Sequence, residues 1–462
     1  MTTVGAREVQ VDATTRKKPR VVARLAEWEY LETSFHRILC GWGRHFSEWN
    51  DKVSLFRHIW DEAECVRRLR ERLIQFPGTA GNLNAPVSDR LETLANAVLL
   101  APTFEDLLDG LFFLYNGALV KSYLKYAQAA HPVHDAPTLA VISENVRVKE
   151  QFRLWLREYR RRNPHATDSQ YRSEIEQALN AAGNLLEPLP VEHSANPVGT
   201  RTEFRPPLRA AHPAGSKPMV DLMPYLEADF THSLEARRLF WCFGYLLEMN
   251  LAEDQMLWLW NSASMPWEFV QDATRHMWDE SRHGDSGHSR LLDFGIPLST
   301  IGYPYYDQRF QNAEPWDQAE GEAEPMTPQA LYEAIFFIGM VAETGHFQVK
   351  HEAYDDFREG GDMESAEMML FDIIDETSHV QYAHRWLPLL AEKAGVQEDF
   401  KQRGLQERER LLKDSTERAS RNLALPREGP DYELYQALIA QMRDVLPLSN
   451  ADSCPPRSSK PM

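Results

Sequence analysis

Cysteine is scarce: Cys40, Cys65, Cys242 and Cys454 are the only four in 462 residues. They are widely scattered and form no CxxC pair, which excludes a disulfide framework and a cysteine zinc site. No stretch approaches the ~18 uninterrupted apolar residues of a membrane helix. The opening MTTVGAREVQVDATTRKKPRVV lacks the apolar core of a signal peptide. A cytoplasmic protein with reduced thiols and no membrane partner is therefore expected. Positive charge is in deficit, with 50 Lys and Arg against 69 Asp and Glu, a net charge of -19. Phosphate binding needs clustered cations, so nucleic acid is disfavoured as a partner. Convincing strand patterns are few, and glycine is sparse inside the periodic segments. With 43% hydrophobic and 26% charged residues the composition is that of a packed chain rather than a disordered one.

What remains is an all-α reading, because apolar residues recur at three and four from Arg24 onward. The length, about three times that of a single core, calls for more than one domain. Residues 1–23 read as a disordered arm and 24–162 as a helical bundle. Residues 163–231, with EPLPVEHSANPVGT and RPPLRAAHPAGSKP, read as an irregular connection. A second helical set covers 232–394, split by a crossover over 294–327. C-terminal helices follow over 395–447, and 448–462 reads as a disordered tail.

The second set contains an internal repeat. FGYLLE ending at Glu248 matches IGMVAE ending at Glu343, and each is followed by the same pattern, Asp279-Glu280-x-x-His283 and Asp375-Glu376-x-x-His379. The Glu-to-Glu separations are 32 and 33 residues. Glu at i and His at i+3 lie about 60° apart on one helix face, so both can reach one ion. The midpoints of the two pairs fall in NSASMP and REGGD, both turn signals, so each pair sits level across a helical hairpin. Two such hairpins project four carboxylates and two imidazoles into one interior, a donor set suited to a pair of iron or manganese ions. One DExxH alone reads as a solvated helix face; two in register, each with a Glu inside an apolar run (LFWCFGYLL, AIFFIGMVA), do not.

Around these six stand further candidates. Glu253 competes with Glu248 but lies about 140° round the helix from it, and the repeat places Gln348 opposite Glu253, so Glu248 is preferred. Asp279 and Asp375 are expected to accept the free ring N–H of a ligand histidine on the neighbouring helix. His276, four residues before Glu280, and His346, three after Glu343, are candidate extra ligands. His288 and His384 are expected to pack between helices or to bond outer groups. Trp258, Trp260, Trp267 and Trp278 read as core, or as the wall of a substrate cavity.

On these residues the stretch 232–394 resembles the ferritin-like di-iron carboxylate superfamily, whose Glu, Glu-x-x-His, Glu, Glu-x-x-His order is matched by Glu248, Glu280, His283, Glu343, Glu376 and His379. The resemblance implies a four-helix bundle with one long crossover, binding two irons that react with dioxygen. Its members include oxygenases, fatty acyl desaturases, the radical-generating subunit of ribonucleotide reductase, ferroxidases and arylamine N-oxygenases. In the last group an extra histidine precedes the final ExxH; here His276 precedes the first.

The first region resembles a degenerate copy, giving tandem bundles of which the C-terminal one binds metal. Glu32 and Asp61-Glu62-x-x-Cys65 repeat the arrangement, whereas no acidic residue stands between Asp109 and Asp135, and the last motif reads Glu144-Asn-Val-Arg147. A metal-free domain serving as scaffold, homodimer surface or pocket wall is expected, in preference to a single ion at Glu32, Glu62 and Cys65. The function expected is that of a di-iron oxidase or oxygenase using O2, a small-molecule substrate and an external electron donor. The alternatives are a ferroxidase or iron-handling protein, and a scaffold stabilised by metal.

Overall fold

The computed structural model describes residues 18–76, 88–189, 196–304 and 321–445. The expected arm and tail, Cys454 and the middle of the crossover lie largely or wholly outside them. Among the described residues the chain is helical, with two isolated β-bridges, Pro207 to Glu322 and Pro218 to Tyr303. In chain order the helices are α1 Lys18–Trp42, α2 Trp49–Ile74, α3 Asp89–Leu99, α4 Phe104–Asp109, α5 Asn116–Ala129, α6 Ala136–Arg162, α7 Ser169–Ala181 and α8 Met223–Asp229. They continue with α9 Leu234–Trp260, α10 Trp267–Asp293, α11 Leu298–Ile301, α12 Pro328–Phe336, α13 Thr344–Glu359, α14 Met363–Ala394, α15 Phe400–Asn422 and α16 Pro430–Val445. The stretch read as an irregular connection thus carries α7 and α8. Asp168 caps α7 through the Tyr171 N–H, and Tyr171, Ile175 and Leu179 bury its apolar stripe.

The helices form two compact units. One comprises the described residues through Trp42 together with those of His58–Phe204; the other comprises Gly43–Arg57 and the described residues from Arg205 onward. Nothing in the sequence pattern marks Gly43–Arg57 as part of the second unit. The cause is a set of polar contacts 200 and more residues away in sequence: Lys52 Nζ lies 2.5 Å from Glu253, Arg44 Nη2 3.3 Å from Asp254, and the Trp49 indole donates to Asp285 at 3.0 Å.

In the second unit α9 and α10 make one hairpin and α13 and α14 another. Ser233 caps α9 through Ala236 N–H, Pro266 stands just before α10, and Asp362 caps α14 through Ser365 N–H. Gly287 lets α9 and α10 approach closely, since a Cβ there would stand 2.7 Å from Tyr245 Cβ and 2.9 Å from the Cys242 carbonyl. Two apolar clusters sandwich the middle of these helices. One gathers Leu257, Phe269, Tyr332, Phe336, Leu387 and Leu390; the other gathers Trp241, Tyr245, Ala353, Phe357, Ala366 and Met369. Burying each large side chain contributes about 1.5–3 kcal/mol, and the charged layer between the clusters depends on that surplus.

A π-helical turn, Phe337–Glu343, links α12 to α13 and ends on Glu343. The wider winding leaves carbonyls without their usual helical partners. Thr344 Oγ1 donates to Gly339 O at 2.6 Å, and the Arg408 guanidinium of α15 donates to Met340 O. In the first unit a π-helical turn, Gly110–Tyr115, likewise precedes α5.

Candidate metal centre

The hairpin register brings Glu248 of α9 level with Glu280 of α10. The π-helical turn delivers Glu343 to the same layer, and α14 supplies Glu376 and His379. Two groups of donors result. His276, Glu280, Glu343 and His379 are all buried, and a ligand atom from each lies within 4.8 Å of the others; Glu248, Glu280 and His283 form a second group by the same measure. Glu280 belongs to both. His276 Nε2 is 2.8 Å from Glu343 Oε1 and 2.9 Å from Glu280 Oε1, and its ring stacks on that of His379 at 3.7 Å. His379 Nδ1 is 3.3 Å from Glu343 Oε1 and 3.4 Å from Glu280 Oε1. On the other side His283 Nδ1 is 3.0 Å from Glu248 Oε2.

The outward ring nitrogens are held crosswise. His379 Nε2 lies 3.3 Å from Asp279, and His283 Nε2 lies 3.3 Å from Asp375. An Nε2–H donated to each carboxylate leaves the Nδ1 lone pairs facing inward. Arg275 and Arg282 hold the two aspartates together, with Arg275 Nε 2.8 Å from both Asp279 oxygens and Arg282 2.5 Å from Asp375. Burial alone would raise the Asp279 carboxyl, but His379 and the two guanidiniums outweigh it and keep it below the usual carboxylate range.

Glu376 departs from the expected arrangement. It lies outside both donor groups, and the buried ammonium of Lys350 is paired with its Oε1. The same ammonium lies 2.7 Å from Asp372 Oδ2, and Asp372 also accepts the Tyr245 hydroxyl at 2.6 Å. Asp372 stands at the repeat position of His276, four residues before Glu376, whereas the sequence pattern does not mark Lys350 as a member of the layer. The other candidates fall elsewhere: Glu253 is paired with Lys52 and hydrogen-bonded by Asn250, His346 is exposed on α13, His288 packs on Trp49 at 4.9 Å, and His384 is exposed beside Phe400. Trp258 belongs to the apolar cluster, whereas Trp278 is flanked by the guanidiniums of Arg275 and Arg282, each 5.0 Å from its ring centre.

Whether the residues fit a metal can be tested on their polar atoms. Glu248 Oε2, His283 Nδ1, both Glu343 oxygens, Glu376 Oε2 and His379 Nδ1 are buried and make no well-formed hydrogen bond. Buried polar atoms are almost always satisfied, and these six converge on one layer. Burial pushes the Glu248 and Glu376 carboxyls upward despite His283 beside one and Lys350 beside the other. With every carboxylate ionised and every imidazole neutral, as metal ligands are, the layer carries more negative charge than its ammonium balances. Five carboxylates, Glu248, Glu280, Glu343, Glu376 and Asp372, against one ammonium leave four negative charges with neutral imidazoles, the charge of two divalent ions. The donors fit them. An apolar cleft walled by Phe269, Ala273, Ile335, Ile338, Tyr382 and Trp386 reaches His276 and His379.

The first unit holds a different centre. Glu32 and Glu62, both fully buried, flank the ammonium of Lys149, which pairs with Glu32 and lies 2.5 Å from Glu62 Oε2. The Tyr123 hydroxyl donates to Glu32 at 2.5 Å, and the Asn145 amide stands 3.4 Å from the Cys65 carbonyl. The reading of Glu144 and Arg147 as remnants of an ExxH is corrected by one position. Both are exposed and paired with each other at 3.0 Å, whereas Asn145, Val148 and Lys149 face inward. The cation of this layer is Lys149, not Arg147.

Fold and site together define a helical protein with a buried carboxylate–histidine cluster able to hold metal. Residues 245–425 match the family described as "Protein of unknown function (DUF455)", a span that contains every donor of both groups. No curated protein and no solved structure matches the chain. Among the described residues no helix is long and apolar enough to cross a membrane.

Proposed function

We propose that residues 232–394 form a ferritin-like bundle holding two iron or manganese ions, and that the protein is an O2-dependent oxidoreductase acting on a small organic substrate. The observation that carries this reading is the convergence of unsatisfied buried donor atoms around Glu280, which is shared by both groups. His276, Glu280, Glu343 and His379 would hold one ion, and Glu248, Glu280 and His283 the other. Bound ferrous iron supplies the electrons and open coordination positions that dioxygen needs.

The chain's own residues do the rest. Asp279 and Asp375 fix the tautomers of His379 and His283, so that ligand geometry is set before metal arrives. The two apolar clusters exclude water from the layer. The cleft at His276 and His379 is aromatic and aliphatic, which favours an apolar substrate over a charged one. An external donor returns the electrons. The first unit is read as a copy of the same bundle in which Lys149 stands where metal would.

The test is metal content and dioxygen uptake of the iron-reconstituted protein beside Glu343→Ala. Two ions per chain, and uptake that depends on an organic substrate and is lost in the variant, are expected. Rapid uptake with ferrous iron alone, together with assembly into a cage, points instead to an iron-handling protein; metal bound without uptake points to a scaffold. Full uptake in Glu343→Ala removes the site assignment.

A further inference from the structure

We propose that Lys350 is a resident counter-cation that competes with one of the two metal ions for Glu376, so that the centre fills in a fixed order. The His276, Glu280, Glu343 and His379 half fills first. The Glu248, Glu280 and His283 half fills second, with Glu376 joining only as Lys350 withdraws onto Asp372. The inference rests on the two-metal reading above.

The two halves are unequal in ways that set this order. The first offers four buried donors, two of them imidazoles, and among the described residues no lysine ammonium is paired with any of them. The second offers three donors, among them the partly exposed Glu248, while the carboxylate that would complete it is paired with Lys350. Lys350 is 1% exposed and so cannot swing out to water. It has a second seat, because Asp372 accepts it through both oxygens, at 2.7 and 3.0 Å, and the Tyr245 hydroxyl anchors that carboxylate. Releasing Glu376 therefore strands no charge: the ammonium keeps Asp372, and the arriving ion takes Glu376. A divalent ion admitted beside an ammonium is opposed by their repulsion, which in a buried layer is worth at least an order of magnitude in affinity.

The same chain shows the limiting case. In the first unit Lys149 is fully buried between two carboxylates from α1 and α2. The helices corresponding to those of Glu343 and Glu376 carry buried Asn116 and Asn145. With only two carboxylates, one ammonium and one proton suffice for neutrality. With five, an ammonium alone cannot suffice, and the lysine becomes a competitor rather than a substitute.

The experiment is anaerobic titration of the whole protein with Mn2+, free ion being counted by its electron paramagnetic resonance signal, for wild type, Lys350→Met, Glu376→Gln and the double variant. Wild type is expected to bind two ions with affinities differing at least about tenfold. Lys350→Met should tighten the weaker one about tenfold or more, leave the tighter one within about threefold, and lose this gain in the Glu376→Gln background. Far-UV circular dichroism and the thermal midpoint report whether each variant is folded. If Lys350→Met fails to fold, the wild-type titration decides, and two equal affinities there overturn the proposal. A folded Lys350→Met whose second affinity is unchanged or weakened also overturns it. Less than one ion per chain in wild type overturns the metal reading itself, which distinguishes the two failures.

Discussion

Replacing Lys149 by Met is the most direct probe of the charge logic of the first unit. The side chain is fully buried, and its ammonium lies between Glu32 and Glu62. Burial and the neighbouring Glu32 push Glu62 well above the ordinary carboxylate value. Burial alone would lower Lys149, but Glu32 and Glu62 outweigh it and keep the amine charged. Neutrality of so buried a layer requires one ammonium, one carboxylate and one carboxylic acid. Methionine preserves most of the volume, so packing contributes less than about 1.5 kcal/mol to the loss. The main term is the stranded carboxylate. Leaving a buried charge without its partner costs about 3–5 kcal/mol. Protonating it at pH 7 instead costs about 1.4 kcal/mol for each pH unit above a reference near 4.3, or roughly 3.7 kcal/mol. The two routes agree, and we expect urea unfolding to show a loss of about 3–4 kcal/mol at pH 7.

The sign with pH follows. In the variant the folded pKa of the stranded carboxyl is raised above its unfolded value. Its penalty is absent below the unfolded pKa, near 4.3, and grows as pH rises toward the folded one. The deficit of Lys149→Met should shrink to about 1 kcal/mol at pH 5, and adding Glu32→Gln should recover more than half of it at pH 7. A deficit that is equal at pH 5 and pH 7, or below about 1 kcal/mol at pH 7, would refute the reasoning.

Three further outcomes follow from the second unit. Glu248→Gln should leave one ion per chain by plasma mass spectrometry, because His276, Glu280, Glu343 and His379 stay intact, whereas Glu280→Gln weakens both halves at once; equal retention in the two variants contradicts a shared Glu280. Asp279→Asn and Asp375→Asn should each weaken metal binding about 10–100-fold while the helix content is kept, since they unfix the tautomers of His379 and His283. Burial pushes Asp362 up, but Arg238 and Arg290 outweigh it and hold it below the usual range. Its stabilising share is therefore present above the unfolded pKa near 3.9 and is lost as pH falls through the folded value. Asp362→Asn should cost about 3–5 kcal/mol at pH 7 and less in acid, as measured by urea unfolding.

Most of the helices are legible in the sequence because Pro, Gly and Asx punctuation marks their ends, and the level of Glu248 with Glu280 follows from counting to the turn at NSASMP. The crosswise contacts of Asp279 and Asp375 are legible for the same reason, since repeat symmetry puts each aspartate beside the other motif's histidine. The buried lysines are missed for one physical reason. Lys149 and Lys350 sit in helices where a lysine ordinarily faces water. Their partners are 87 and more residues away in one case, and in the other 22 and 26 residues away on a different helix. No local pattern marks such a pairing. The same holds for Gly43–Arg57, whose Lys52 meets Glu253 only through tertiary folding. The one-position error at Glu144 arises from requiring an acid in the motif frame, when the inward residue there is the neutral Asn145. The π-helical turns leave no sequence signal, although Phe337–Glu343 aims Glu343 inward.

Comparing the two charged layers explains why a lysine recurs in both. A layer closed off from water by apolar clusters must be nearly neutral, because each uncompensated buried charge costs several kcal/mol. The first unit meets this with two carboxylates and Lys149. In the second unit the carboxylates number five, and Lys350 lowers the deficit only to four. On the proposed reading two divalent ions would close it, and one ion would leave two charges for protons to cover. Without Lys350 the same carboxylates would carry a fifth charge, which a pair of divalent ions could not cancel. On the proposed reading the lysine would set the charge at which two such ions are favoured, and would at the same time make the second the harder to admit.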